Sequence, residues 1–304
     1  MKLQFGPYTV ETSNDDKLLF PESGISKADV VAYYRDISDL MLPHLEDRCL
    51  TLQRFPDGLG DDGFFQQNRS DHFPDFVECK PLDTAKGDDV VDHIVVNNAA
   101  ALVYLADQAT ITFHGWLAPA STPRRPDRVV FDLDPARDDF DEVIDCARLL
   151  GEALELSGLV PHLMTTGSRG LHVVAPLSGK QTFDEVREFA RDVARATADR
   201  QPKRFTTEQR KKARRGRLYI DVGRNAYGQT AVLPYSLRAI EGAPIATPLD
   251  WEELSGGDVS PRQYHIGNLR RRMAQKKDPF ADFFKRKRGV SADRRKLDDW
   301  RVES

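Results

Sequence analysis

Between Arg128 and Leu237 short apolar runs alternate with two long amphipathic stretches, and this alternation constrains the fold more than any other feature of the chain. RVVFDLDP reads as a buried strand, and DDFDEVIDCARLLGEALELSG as a helix stopped by Gly158. LVPHLMTT and GLHVVAPL read as two strands around the small-residue turn GSRG, Gly167 to Gly170. FDEVREFARDVARATADR is a second amphipathic helix, and RLYIDVG and TAVLPYSL are two further strands. This order mixes hairpins with crossovers, which predicts an α+β sheet with helices on one face.

The residues before this region follow other periods. Ser26 caps a helical pattern through KADVVAYYRDISDLMLPHL, with Pro43 as its predicted end. CLTLQRF alternates as a strand does and stops at the turn Pro56 to Gly58, while GDDGFFQQN reads as an exposed loop carrying two adjacent aromatics. VDHIVVNNAAALVYLADQATITFHGW predicts a short strand, a helix from about Ala99 to Gln108, and a strand ending near Trp116, a core aromatic. The Pro- and Arg-rich run from Ser121 to Asp127 is the best candidate for a boundary between two halves.

Composition excludes several classes. With 304 residues and 40% hydrophobic content the chain can bury a sizeable core, so it is not a disordered polymer. No apolar run approaches the roughly 18 residues of a membrane span, and the N-terminus lacks the pattern of a secretory signal. Three scattered cysteines, Cys49, Cys79 and Cys146, argue against a disulfide framework or a cysteine zinc site and read as buried thiols. The expectation is an intracellular protein with no membrane partner. The net charge of -4 hides an asymmetry: from Arg270 to Ser304 there are 13 Lys/Arg against 6 Asp/Glu. Runs such as KRKRG and RRK suit a phosphate-seeking arm, a solvated face or a mobile tail.

The chemistry concentrates on carboxylates. In FDLDP, Asp132 and Asp134 lie two residues apart on a predicted strand, so they share a face at roughly 6 to 7 Å between Cα atoms. Read alone, the pair also fits one aspartate capping the next helix and one solvated. A third carboxylate, Asp221 in RLYIDVG, sits on another apolar strand, and three such groups in one sheet suit two Mg²⁺ or Mn²⁺ ions about 3.5 to 4 Å apart. Between the acidic strands TTGSRGLH offers backbone N–H groups, hydroxyls and one Arg able to cradle a triphosphate, although a plain hairpin turn fits too. His172 and His114 fit either phosphate donors or core histidines. The run Lys203 to Asp221 carries eight Lys/Arg before the third acidic strand, and Arg238 follows a strand.

These segments resemble the polymerase domain of the bacterial non-homologous end-joining ligases, a branch of the archaeo-eukaryotic primase superfamily. The residues carrying the resemblance are NDDKLLFPESGISKAD, TLQRFPDGLGDDGFFQQN, FHGW, FDLDP, TTGSRGLH, YIDVGRN and LPYSLRA, spread from about Glu11 to Trp251. The resemblance implies a primase-like fold: a catalytic module with an RNA-recognition-like antiparallel sheet, packed with an N-terminal α/β module. It places the N-terminal module at about 1–120, the catalytic module at about 128–275 and a basic tail at 276–304. It also implies a DNA-dependent nucleotidyltransferase that adds nucleoside triphosphates, ribonucleotides favoured, to a primer 3′-hydroxyl at short gaps or broken ends.

On the family pattern Asp132, Asp134 and Asp221 are the metal-binding catalytic residues for two Mn²⁺ or Mg²⁺ ions. Thr166, Ser168, Arg169 and His172 line the triphosphate, with His114 and Arg238 as further ligands. Phe64 and Phe65 stack on template bases, and Lys17 and Lys27 hold a 5′-phosphate. Gln53 stands where the family has Lys, FFQQN replaces a more basic FFQKN-type run, and Arg169 and Arg224 stand where Lys and neutral polar residues are usual. The implied partners are gapped or primer-template DNA, 5′-phosphorylated or not, and a ligase or end-binding repair protein; the implied location is the bacterial cytoplasm, at the nucleoid. No ligase or nuclease module fits in the remaining residues, which suggests a free-standing polymerase or a fragment. Competing readings are a de novo primase, a two-metal nuclease, and a catalytically weak module that binds DNA ends and recruits repair partners.

Overall fold

The computed structural model describes residues 1–84, 87, 89–137, 139–256, 259–291 and 295–302. Asp138, at the predicted start of one helix, and Arg294, Glu303 and Ser304 of the basic stretch lie outside the described residues. The chain opens with strands β1 (Lys2–Phe5), β2 (Tyr8–Glu11), β3 (Leu18–Phe20) and β4 (Ile25–Ser26), then helices α1 (Lys27–Asp36) and α2 (Ser38–Leu45). Next come β5 (Leu50–Arg54), β6 (Phe64–Gln66), β7 (Glu78–Asp83), β8 (Val90–Val95), α3 (Ala99–Asp107) and β9 (Thr110–Trp116). The next run is β10 (Arg128–Asp134), α4 (Phe140–Leu156), β11 (His162–Thr165), β12 (Leu171–Pro176), α5 (Phe183–Arg200) and β13 (Phe205–Thr206). Last are α6 (Lys211–Arg214), β14 (Leu218–Asp221), β15 (Thr230–Val232), β16 (Pro248–Leu249), α7 (Leu269–Gln275) and α8 (Arg295–Val302).

Two compact units share the chain: Met1–Ser121 with Thr230–Thr247 and Tyr264–Lys277 forms one, and Thr122–Gln229 with Pro248–Gln263 and Asp278–Ser304 forms the other. The first is built on the antiparallel sheet β15-β9-β5-β6. Leu50, Leu52, Ile111 and Phe113 turn one sheet face into the core, where Tyr34 packs edge-on against Phe113 and donates its hydroxyl to the Ile111 carbonyl. Ser26 and Asp29 form a reciprocal cap on α1. Pro43 does not end the predicted helix. The break comes earlier, at Ile37, and Pro43 sits inside α2 on an exposed face, where it lacks the N–H that would return to the Asp39 carbonyl.

Two further expectations change in this unit. The GDDGFFQQN segment is not wholly a loop, because Phe64–Gln66 pairs antiparallel with β5 as an edge strand. Three residues without alternation carry no local strand signal; the pairing is tertiary. Only Thr230–Val232 of TAVLPYSL is strand, and it pairs with β9 rather than joining the sheet that holds the carboxylates. Cys79 is exposed on the two-stranded ribbon β7-β8, whereas Cys49 and Cys146 are buried.

The second unit carries a six-stranded sheet ordered β13-β14-β10-β12-β11-β16, antiparallel except for the β13-β14 edge. Helices α4 and α5 pack on each other and against β10. Along β10, Val129, Phe131 and Leu133 are fully buried, which leaves Asp132 and Asp134 on the opposite, half-open face. Gly158, at φ +81°, follows α4 as its sequence predicts. The described part of the basic stretch in this unit is folded. Phe280 and Phe283 stack at 5.2 Å beside His162, Arg288 hydrogen-bonds Pro176 and Ser178 through its backbone, and α8 packs on α4 and α5. No helix among the described residues is long and apolar enough to cross a membrane.

Candidate active site

Strand β10 lies at the centre of the site. Its register sets Asp132 directly opposite Asp221 on β14 and directly opposite His172 on β12, while Asp134 faces Tyr219. Directly opposed residues of an antiparallel pair share a face with Cβ atoms about 4.5–5.5 Å apart. Asp132, Asp134, Asp221 and His172 therefore occupy one patch of one sheet face. The approach of β12 to β10 demands glycine at its entrance, since a Cβ on Gly170 would stand 2.0 Å from the Leu133 carbonyl oxygen.

The Thr166 hydroxyl closes the turn before β12. It donates to the Gly170 carbonyl and accepts from the N–H groups of Ser168 and Gly170. Ser168 is half-buried at the turn tip, with its carbonyl accepting from Arg262, and Arg169 beside it is exposed. Arg169, paired with Asp134, and His172, beside Asp132, border the carboxylate patch, while Thr166 and Ser168 shape the turn that carries them.

Three clustered carboxylates need positive neighbours, and arginines supply them. Asp134 accepts from Arg169 at 2.9 Å and from Arg214 at 3.0 Å, on separate oxygens. Asp132 has His172 Nε2 at 3.5 Å and Arg224 at 3.9 Å. Asp221 accepts from the Gly223 N–H at 2.7 Å and the Tyr219 hydroxyl at 3.2 Å. The Arg214 guanidinium lies 4.0 Å over the Tyr219 ring. The Tyr219 hydroxyl is pushed up to about 12, first by burial and then by the Asp221 charge. Arg214 is the residue that sequence reasoning missed, because it is one of eight basic residues in its run. Among the described residues no three acidic, His or Cys side chains already converge as a metal cage. The donor set, hard carboxylate oxygens on adjacent strands, nonetheless fits Mg²⁺ or Mn²⁺ in kind.

The remaining sequence candidates lie in the first unit. His114 on β9 faces Thr51 on one side and Val232 on the other, and Gln53 faces Thr112 and Phe65. Phe65 is 65% exposed, with its ring centroid 6.3 Å from that of His114. Phe64 lies on the other face of β6, under the Arg54 guanidinium at 5.3 Å. The structure brings Gln53, Phe65 and His114 together, but it commits both lysines to carboxylates. Lys17 meets Asp57 at 2.6 Å near the surface, and Lys27 is only 5% exposed and meets Asp107 at 2.8 Å. Arg238 donates its backbone N–H to the Pro244 carbonyl in the turn region after β15.

Residues 26–280 match the family model described as "LigD, primase-polymerase domain". The chain belongs to this family. The LigD primase-polymerase domain is a nucleotidyltransferase, so the chain is an enzyme of the polymerase or primase type. It is 34% identical over 274 residues to the bifunctional non-homologous end joining protein LigD of Bacillus subtilis, covering 89% of this chain and 43% of that protein. It is 32% identical over 293 residues to the multifunctional LigD of Pseudomonas aeruginosa, covering 93% of this chain and 34% of that protein. The chain therefore spans less than half the length of these curated relatives. Among solved structures it resembles the polymerase domain of Mycobacterium tuberculosis Ligase D in complex with DNA, with a TM-score of 0.85 and 26% identity, covering 92% of this chain and 99% of that one. The mixed α+β architecture with antiparallel sheets is the LigD polymerase fold.

Proposed function

We propose that this LigD-type domain extends a primer 3′-hydroxyl at short gaps or broken DNA ends, drawing nucleoside monophosphates from nucleoside triphosphates, with ribonucleotides favoured. The observation that carries the reading is the register that sets Asp132 opposite Asp221 with Asp134 two residues along. Asp132, Asp134 and Asp221 would hold two divalent ions, Mn²⁺ or Mg²⁺. Bound there, the ions supply charge stabilisation to the attacking and leaving oxygens of the transfer.

The chain's own groups do the rest. Arg169, exposed at the turn tip and able to leave Asp134, presents a planar fork to triphosphate oxygens, and its charge does not titrate near neutral pH. His172, buried with its Nε2 3.5 Å from Asp132, can give its single Nε2–H either to that carboxylate or to a phosphate that displaces it. Thr166 holds the turn closed, so the N–H groups around Ser168 stay fixed. Arg214 and Arg224 neutralise the carboxylate patch. In the other unit Phe65, exposed on an edge strand, offers a stacking surface for a template base. DNA is the partner this surface suits, as the Mycobacterium tuberculosis neighbour in complex with DNA also suggests. The same kinship supports a repair role beside a ligase or end-binding protein, in the bacterial cytoplasm.

The test is primer extension on gapped duplexes carrying a 5′-phosphate or a 5′-hydroxyl downstream, with Mn²⁺ or Mg²⁺ and each class of nucleoside triphosphate. Extension that requires a template and a divalent ion, and runs further with ribonucleotides, is expected. No extension under any combination overturns the proposal.

A further inference from the structure

We propose that Tyr219 is a positioning residue for the carboxylate patch: its hydroxyl fixes Asp221 so that one carboxylate oxygen is held and the other is kept for a divalent ion. The inference rests on the two-metal reading above and deepens it.

Asp221 is the last residue of β14, and the chain turns directly after it, where the Asn225 N–H bonds the Val222 carbonyl. A carboxylate at a strand end has several rotamers open to it, and two donors remove that freedom. The Tyr219 hydroxyl donates to Asp221 Oδ1 at 3.2 Å, and the Gly223 N–H donates to the same oxygen at 2.7 Å. Oδ2 accepts no hydrogen bond among the described residues. Residues two apart on a strand share a face, so the phenol reaches the carboxylate from its own strand. The approach of Gly223 is equally specific, since a Cβ there would stand 2.9 Å from Oδ1.

Tyr219 can hold another group because it is itself held. It is buried, it lies opposite Asp134 on β10, and Thr206 on β13 flanks it on the other side. Its ring carries the Arg214 guanidinium at 4.0 Å, and Arg214 donates in turn to Asp134 at 3.0 Å. Packing does not account for the hydroxyl, because a phenylalanine would fill the same space and carry the same guanidinium. The hydroxyl has no partner but Asp221 among the described residues. A hydrogen bond of this kind orients a metal-binding carboxylate, and its loss weakens metal binding by about 10- to 100-fold.

The experiment titrates Mn²⁺ into the full chain, with bound ion read as loss of the free-ion electron paramagnetic resonance signal, for the wild type, Tyr219→Phe and Asp221→Asn. Primer extension by the wild type and Tyr219→Phe is then measured against Mn²⁺ concentration. Tyr219→Phe keeps the ring under Arg214, so its melting temperature should stay close to that of the wild type. It should bind Mn²⁺ about tenfold more weakly and need about tenfold more Mn²⁺ for half-maximal extension, while saturating Mn²⁺ restores the wild-type rate. A merely structural role would instead lower the melting temperature and depress extension at every Mn²⁺ concentration. Unchanged Mn²⁺ affinity in Tyr219→Phe, or a deficit in extension that saturating Mn²⁺ does not restore, overturns the inference. A wild type that binds no Mn²⁺, or binding that Asp221→Asn leaves untouched, overturns the metal-site reading itself.

Discussion

Lys27 offers the sharpest test of how the first unit manages charge. Its side chain is 6% exposed, with the ammonium 2.8 Å from an oxygen of the buried Asp107 side chain and 3.4 Å from the Ser13 hydroxyl. Asp107→Asn keeps the shape and retains an oxygen to accept the Ser13 N–H, now at 3.1 Å, so the change isolates the charge. An ammonium left buried without its counter-ion costs about 3–5 kcal/mol, a large part of a typical stability of about 5–15 kcal/mol. Urea unfolding followed by circular dichroism should show that loss as a lower midpoint with little change in slope. The double variant Lys27→Met with Asp107→Leu should recover most of it, because two well-packed apolar groups replace both charges. An Asp107→Asn loss under about 1 kcal/mol would be the cost of an exposed pair and would refute the buried-pair reasoning.

Three other outcomes follow from the same geometry. Asp57→Asn should free Lys17 from its surface ion pair and raise the preference for a 5′-phosphorylated gap by up to about fivefold, read as the ratio of extension rates on the two gaps; the factor is that of an exposed pair of up to about 1 kcal/mol. Gly170→Ala should lower the melting temperature and the extension rate together, since its Cβ has no room beside the Leu133 carbonyl. Burial holds the His162 imidazole below its ordinary value, with the Val160 carbonyl opposing, so the unfolded chain takes up that proton first as pH falls. The stability contributed by the neutral ring is complete above about pH 6.5 and declines below it until the folded ring titrates. His162→Phe, among Phe280 and Phe283, should flatten the acid side of a stability-against-pH curve.

Much of this architecture is legible in local sequence. Ser26 marks a helix start in the sequence, and the structure caps it reciprocally with Asp29, as Thr182 with Glu185 caps α5. The strand-borne carboxylates are visible as Asp in apolar runs, and the sheet sets two of them face to face. What stays hidden is non-local. The Phe64–Gln66 strand exists because β5 pairs with it, and the sheet that receives Thr230–Val232 depends on β9, more than a hundred residues earlier. Lysine is ordinarily a surface residue, so nothing near Lys27 announces a partner eighty residues away. Arg214 is chosen from its basic run by the fold, which aims one guanidinium at Asp134 and lays it on Tyr219.

The central claim is that the Asp132, Asp134 and Asp221 patch performs the transfer. It is tested most directly by measuring primer extension on a gapped duplex with the wild type, Asp132→Asn and Asp221→Asn, alongside DNA affinity by anisotropy. Wild-type extension, a loss of at least about a thousandfold in both variants, as for removal of groups that act only in the transition state, and unchanged DNA affinity are predicted. Turnover retained in either variant would contradict the account.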